Sequence, residues 1–170
     1  VAIRVPAGTV VDKPVELAFV FVDDLPALQA IRNIVVVEAG AAFTLLESYG
    51  SAHGVDHMTS VVTELTIADG ARVDHVKVQD ESKAAVHLSR LATSLGADAA
   101  LNTFTASLGA RLSRNETSLL CAGAGSDATI SGAYMIAGRQ HCDSTLLVDH
   151  AVPDCTSREL FKGVIDGSAR

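Results

Sequence analysis

Tryptophan is absent from this chain, and its 170 residues include only two tyrosines and five phenylalanines. With aromatics at 4%, Val, Leu, Ile and Ala must fill the interior, which favours thin, regularly layered cores over one bulky centre. Positive charge is also scarce. Thirteen Lys and Arg face twenty Asp and Glu, giving a net charge of −7 and a pI near 5.2. That balance argues against nucleic acid and anionic membrane as partners, since both select basic surfaces. The longest apolar run, Leu17 to Val22, is strand-sized and far short of the roughly 18–20 residues of a transmembrane helix. No secretory signal is visible. Three cysteines, Cys121, Cys142 and Cys155, form no disulfide framework and point to a reduced, cytoplasmic setting.

Against these absences stands a hydrophobic fraction of 48% with 19% charged residues, enough for one domain with a continuous core over 1–170. The clearest internal signal is a recurring turn of glycine followed by a small residue. It occurs at Gly8-Thr9, Gly40-Ala41, Gly70-Ala71, Gly96-Ala97 and Gly125-Ser126, the last four 30, 26 and 29 residues apart. Periods of this size mark stacked architectures.

Each interval between glycines holds two strand-length runs rich in β-branched residues. These are 42–48 and 58–67, then 72–79 and 85–92, then 99–108 and 110–121, and finally 128–137 and 144–150. Short helices are expected only near 24–31 and 156–162. Hairpin dipeptides are nearly absent, Asp69-Gly70 and Asp166-Gly167 being the exceptions. Small residues and Thr/Ser recur at matching points of successive intervals. The expected fold is therefore all-β, a right-handed parallel β-helix, with a β-sandwich as the competing architecture.

Most motif-like segments read better as structure than as chemistry. Gly123-Ala124-Gly125-Ser126-Asp127-Ala128 fits a permissive dinucleotide fingerprint, but that chemistry needs a helix after the glycines, and Thr129-Ile130-Ser131-Gly132 reads as strand. His53 and His57 have the spacing of two zinc ligands on one helical face. Gly54 and the missing glutamate favour a polar loop instead.

His141, Cys142, Asp143, Asp149, His150 and Cys155 are the densest set of possible metal ligands. Adjacent His141 and Cys142 would face opposite sides of a strand, which favours buried cysteine and edge histidine over a shared ion. Cys121, in an apolar run, reads as core. Asn115-Glu116-Thr117 is a formal glycosylation sequon without a secretory context. Ser157 and Lys162 could suggest a nucleophile pair, but nothing supplies an oxyanion site. No catalytic residue is assigned.

The second half of the chain resembles the SufB/SufD family of iron–sulfur cluster assembly proteins, SufD more than SufB. The residues that carry this are the run Asn102 to Asn115, Gly132-Ala133-Tyr134, Gln140 to Asp143, His150 to Ser157, and Phe161-Lys162-Gly163-Val164. The resemblance implies a β-helix core that pairs with a related SufB-like subunit, or with itself as a homodimer, beside a SufC-like ATPase of the ABC type. The family's candidate cluster ligands lie in a Cys-x-His-Gly-type stretch that this sequence lacks. The expectation is thus that this fragment binds no cofactor itself, while a cluster forms in the full-length complex. His150, Ser157, Lys162 and Gly163 fit the family pattern as turn and packing residues. The chain is expected to be an uncapped piece of a longer protein, with N- and C-terminal parts missing. A non-enzymatic scaffold is the leading function. A β-helix polysaccharide lyase or hydrolase is the alternative, disfavoured by the lack of stacking aromatics and of a carboxylate pair. A left-handed acyltransferase helix would need a hexapeptide period, which is missing.

Overall fold

A computed structural model of the chain describes residues 1–22 and 25–170. Twelve strands account for the regular structure: β1 (Ala2–Val5), β2 (Val15–Phe21), β3 (Leu28–Val37), β4 (Ala42–Ser51), β5 (Met58–Ile67), β6 (Arg72–Asp80), β7 (Val86–Leu95), β8 (Ala100–Ser107), β9 (Leu112–Cys121), β10 (Asp127–Ile136), β11 (His141–His150) and β12 (Thr156–Ile165). Odd-numbered strands form one six-stranded sheet in the order β1-β3-β5-β7-β9-β11. Even-numbered strands form the other, β12-β10-β8-β6-β4-β2. Every strand pair is parallel and joins strands two apart in sequence. The chain therefore winds as a β-solenoid of about six turns. Parallel pairing throughout removes the sandwich alternative.

Each strand earns its place by alternation. Along β5 every second side chain from Thr59 to Ile67 is buried. Inward positions stack in ladders from rung to rung: Val37, Ile67, Leu95 and Cys121 form one, and Phe43, Val73, Leu101 and Ala128 form the ladder facing it. All eight belong to one buried apolar cluster. The strand boundaries follow the sequence expectations closely, for example β5 at 58–67 and β6 one residue beyond 72–79.

Two expectations fail. No helix occurs among the described residues. Positions 28–31 open β3, and 156–162 lie in β12, while residue 24 falls outside the described residues. Leu28-Gln29-Ala30-Ile31 pairs in register with Met58-Thr59-Ser60-Val61. A ladder of that length outweighs a weak helical preference.

The second failure concerns the turn anchors. Gly8, Gly40, Gly70 and Gly125 do adopt positive φ, between 66° and 75°, but the fourth rung uses Asp98 at 54° and the sixth Asp154 at 62°. The pairing of Ala100 with Arg72 and with Asp127 makes Asp98 the equivalent of both Gly70 and Gly125. Aspartate tolerates the left-handed region better than most residues, which hides it from a search for glycine. Gly96 is needed for a different reason: a Cβ there would strike Asp69.

Gly123 has the tightest such contact, with the backbone of Gly96 and Ala97 one rung below. Gly123→Ala is expected to destabilise the protein by about 1–3 kcal/mol, because the methyl group must push two rungs apart. Urea unfolding reads this directly, and wild-type stability in the variant would contradict the close stacking.

Candidate functional site

Each rung runs out along one sheet and back along the other, so the start of an odd strand faces the end of the following even strand. At the opposite end from the apolar ladders, the inward positions are mostly polar. The odd sheet contributes Thr59, His87, Ser113 and Cys142 in one ladder, and Val61, Ser89, Asn115 and Ser144 in the next. The even sheet contributes Tyr49, Gln79, Ser107 and Tyr134, beside Glu47, Lys77, Thr105 and Gly132. The solenoid interior is thus apolar along one side and holds a polar lane along the other.

Glu81 anchors the lane just past the end of β6. Its carboxylate accepts from Thr59 Oγ1 at 2.5 Å and Gln79 Nε2 at 3.0 Å, and lies 3.1 Å from His57 Nε2. His87 Nδ1 is 2.7 Å from its other oxygen, at ion-pair distance but off the hydrogen-bonding direction. Glu47 accepts from Tyr49 Oη at 2.6 Å and from Thr63 Oγ1 at 2.7 Å. His75 Nε2 stands 3.5 Å from Glu47, a charge contact too long for a good hydrogen bond, while its Nδ1 is 2.9 Å from Thr103 Oγ1. Lys77 donates to Ser89 Oγ at 2.5 Å and Asn115 Oδ1 at 2.9 Å, with Nζ 5.4 Å from the centre of the Tyr49 ring. His57 stacks on Phe21 with ring centres 4.3 Å apart.

These groups are held in unusual protonation states. Burial opposes ionisation of Glu81, but His87, Thr59 and Gln79 more than offset it and hold the carboxyl at about 2. Glu47 is likewise held at about 2, against the effect of burial, by His75, Tyr49 and Thr63. Burial lowers Lys77 to about 8, with Glu47 and Glu81 working against the shift. Burial, together with the charge of Lys77, lowers His87 to about 4. Burial and the Glu47 charge push Tyr49 far up. At neutral pH the lane therefore carries two carboxylates and one ammonium, with His87 and Tyr49 neutral. Asn33 Oδ1, His57 Nδ1, His75 Nε2 and His87 Nε2 have no hydrogen-bond partner within the protein. Such an array can hold polar groups and protons away from bulk water.

The sequence of the solenoid core matches the family described as SUF system FeS cluster assembly, SufBD core domain, over residues 20–170. The chain belongs to the SufBD family. An iron–sulfur cluster assembly SufBD family protein of Mycobacterium tuberculosis is 36% identical over 132 residues, 78% of this chain and 32% of that protein. A SufBD family protein of Synechocystis is 29% identical over 177 aligned residues, 98% of this chain and 39% of that one. The iron–sulfur cluster assembly protein SufD of Escherichia coli is 26% identical over 139 residues, 82% of this chain and 33% of that protein. The chain spans about a third of the length of the first of these relatives, so it corresponds to part of a SufBD protein.

Within this SufBD core the sequence-derived candidates fall as follows. His141 and Cys142 begin β11, and Cys142, paired with Ser113, points inward into the polar lane. Burial raises the Cys142 thiol, partly offset by a hydrogen bond to Ser107. Asp143 lies outward, 3.4 Å from Arg114. His150 ends the same strand, exposed, and Cys155 is half-buried in the following turn. His141 and Cys142 are thus separated from His150 and Cys155 by the length of a ten-residue strand. Among the described residues no three His, Cys, Asp or Glu side chains are arranged to hold a metal ion.

Other readings are settled by the same geometry. Residues 123–126 form a turn and 127 onward is strand. Ser157 and Lys162 pair with Ala128 and Ala133, an odd number of positions apart, and so face opposite sides of the sheet. Cys121 is fully buried in the apolar cluster. The reading of 53–57 as a polar loop holds for exposed His53 but not for His57, which is 3% exposed and belongs to the polar lane. Missed altogether were Glu47, Lys77, Glu81 and Asn115 as interior residues. Their strand parity was available as a signal: each sits an even number of positions from an apolar inward residue of its own strand or, for Glu81, just beyond it. Asn115 is bonded inside the solenoid to Lys77, Ser107 and Ser113, which removes the sequon from consideration as a surface feature.

Proposed function

We propose that this chain is the core of a non-enzymatic scaffold subunit in iron–sulfur cluster assembly. Membership of the SufBD family over nearly the whole solenoid carries the role in cluster assembly. The scaffold reading rests on the arrangement of the polar residues. The strongest concentration of shifted acid–base groups faces the solenoid interior, where its side chains bond to one another rather than to an open cleft. The outward faces are long, flat sheet surfaces suited to protein partners.

On this reading the full-length protein pairs with a sister subunit of the same fold, or with itself, and works beside an ABC-type ATPase in the cytoplasm. The cluster is cargo of the complex, with no ligand drawn from this segment.

The test is anaerobic co-expression of the full-length protein with its sister subunit and ATPase, followed by size exclusion and by iron and sulfide analysis. A stable complex carrying iron and sulfide is expected. No complex, or robust cleavage of pectate-like polymers by the purified protein, would overturn the proposal.

A further inference from the structure

We infer that Cys121 and Cys155 form a thiol pair that closes to a disulfide under two-electron oxidation, tying the turn before β12 to the end of β9. The two residues come together because of rung stacking. In register, His150 lies over Cys121 and Thr156 over Asp127, which sets Cys155 directly over Ser126. Cys121 and Ser126 bracket one tight turn, and both are fully buried. Cys155 thus sits one rung, roughly 4.8 Å, above the turn that Cys121 enters, and the two thiols lie within hydrogen-bonding reach of each other.

The sulfur positions agree with this placement. Ser126 Oγ donates to Cys155 Sγ at 3.3 Å, and Cys155 Sγ is 3.5 Å from the carbonyl oxygen of Gly123, two residues beyond Cys121. Both cysteines pack into the same apolar cluster, Cys121 inside it and Cys155 against its edge. Burial is the main cause that raises the Cys121 thiol, and the Cys155 thiol adds to it. Cys155 is half-buried, so an oxidant reaches it first.

With diamide as oxidant, the Cys155 thiolate adds to the N=N bond. The Cys121 thiolate then attacks the Cys155 sulfur, the S–N bond breaks, and diamide leaves as the hydrazine, having taken two electrons and the two thiol protons. A small disulfide would accomplish the same by exchange, leaving as two thiols. Cys142 is an internal control. It sits eight residues before His150 on β11, roughly 26 Å away along the strand.

Full-length protein is treated with diamide, alkylated under denaturing conditions and mapped by tandem mass spectrometry. The expected result is a Cys121–Cys155 linked species, reversible by dithiothreitol, with Cys142 alkylated. Cys155→Ser should abolish the link and restore alkylation of Cys121. The inference fails if Cys121 and Cys155 are both alkylated after oxidation of the wild type, or if either is found joined to another cysteine instead. Because the wild type is itself the test, a folding defect in the variant cannot protect the idea.

Discussion

Glu81→Ala is expected to lower the free energy of unfolding by about 3–5 kcal/mol, the cost of breaking a buried ionic network by removing one partner. The glutamate side chain is 2% exposed and gathers Thr59, Gln79, His57 and His87 around two oxygens. Alanine leaves those groups buried in the polar lane with no carboxylate to bond or face, and it withdraws one of the two carboxylates that support the Lys77 ammonium. Since a domain of this size has a total stability of roughly 5–15 kcal/mol, the variant should sit near its folding threshold. Glu116→Ala provides the comparison. Glu116 is 40% exposed and pairs with Arg114 on the outer face, so its loss should change stability by less than about 1 kcal/mol. Urea midpoints of the two variants check both values. Equal effects would show that the lane does not hold the solenoid together.

Acid should unfold the protein well above the pH at which exposed carboxylates alone would do so. His87 is lowered from 6.5 to about 4, so the unfolded chain binds more protons than the folded one throughout that interval. Stability therefore falls as pH drops from about 6.5. Glu47 and Glu81 are lowered from 4.5 to about 2, and their contribution is present above 4.5 and lost on the way down to about 2. All three act in the same direction, so a continuous loss of several kcal/mol between pH 6.5 and 2 is expected. Lys77, lowered from 10.5 to about 8, adds the same slope at alkaline pH: stability should rise from about 8 toward 10.5, leaving a flat stretch near neutrality. Urea midpoints measured from pH 3 to 8 test the acid limb. His87→Gln should flatten the part between 6.5 and 4 and shrink the Glu81 contribution, which His87 supports, while leaving the Glu47 contribution in place. A profile flat from pH 7 to 4 would show that His87 is solvated in solution.

Much of this architecture was legible before any coordinates. Alternation along 58–67 or 72–79 gives strands because a side chain every second residue meets the core, and the rarity of hairpin dipeptides leaves parallel winding as the connection. The rung period was legible where glycine supplies the left-handed turn. It blurred at Asp98 and Asp154, where another residue does the same work. The short helices expected at 28–31 and 156–162 were lost to the ladder, because inter-strand hydrogen bonds with β5 and β10 override local preference.

The sequence by itself determined that the chain would be an all-β stack with a small-aliphatic core, and its second half carried the SufBD resemblance. Both are properties of local pattern, which any stretch of chain displays. Only the tertiary structure decided that Glu47, Lys77, Glu81, His87 and Asn115 lie together inside the solenoid, and that Cys121 meets Cys155 while Cys142 stands apart. Those outcomes depend on register between strands about 30 residues apart in sequence. A single-residue slip would turn every one of these side chains to the opposite face.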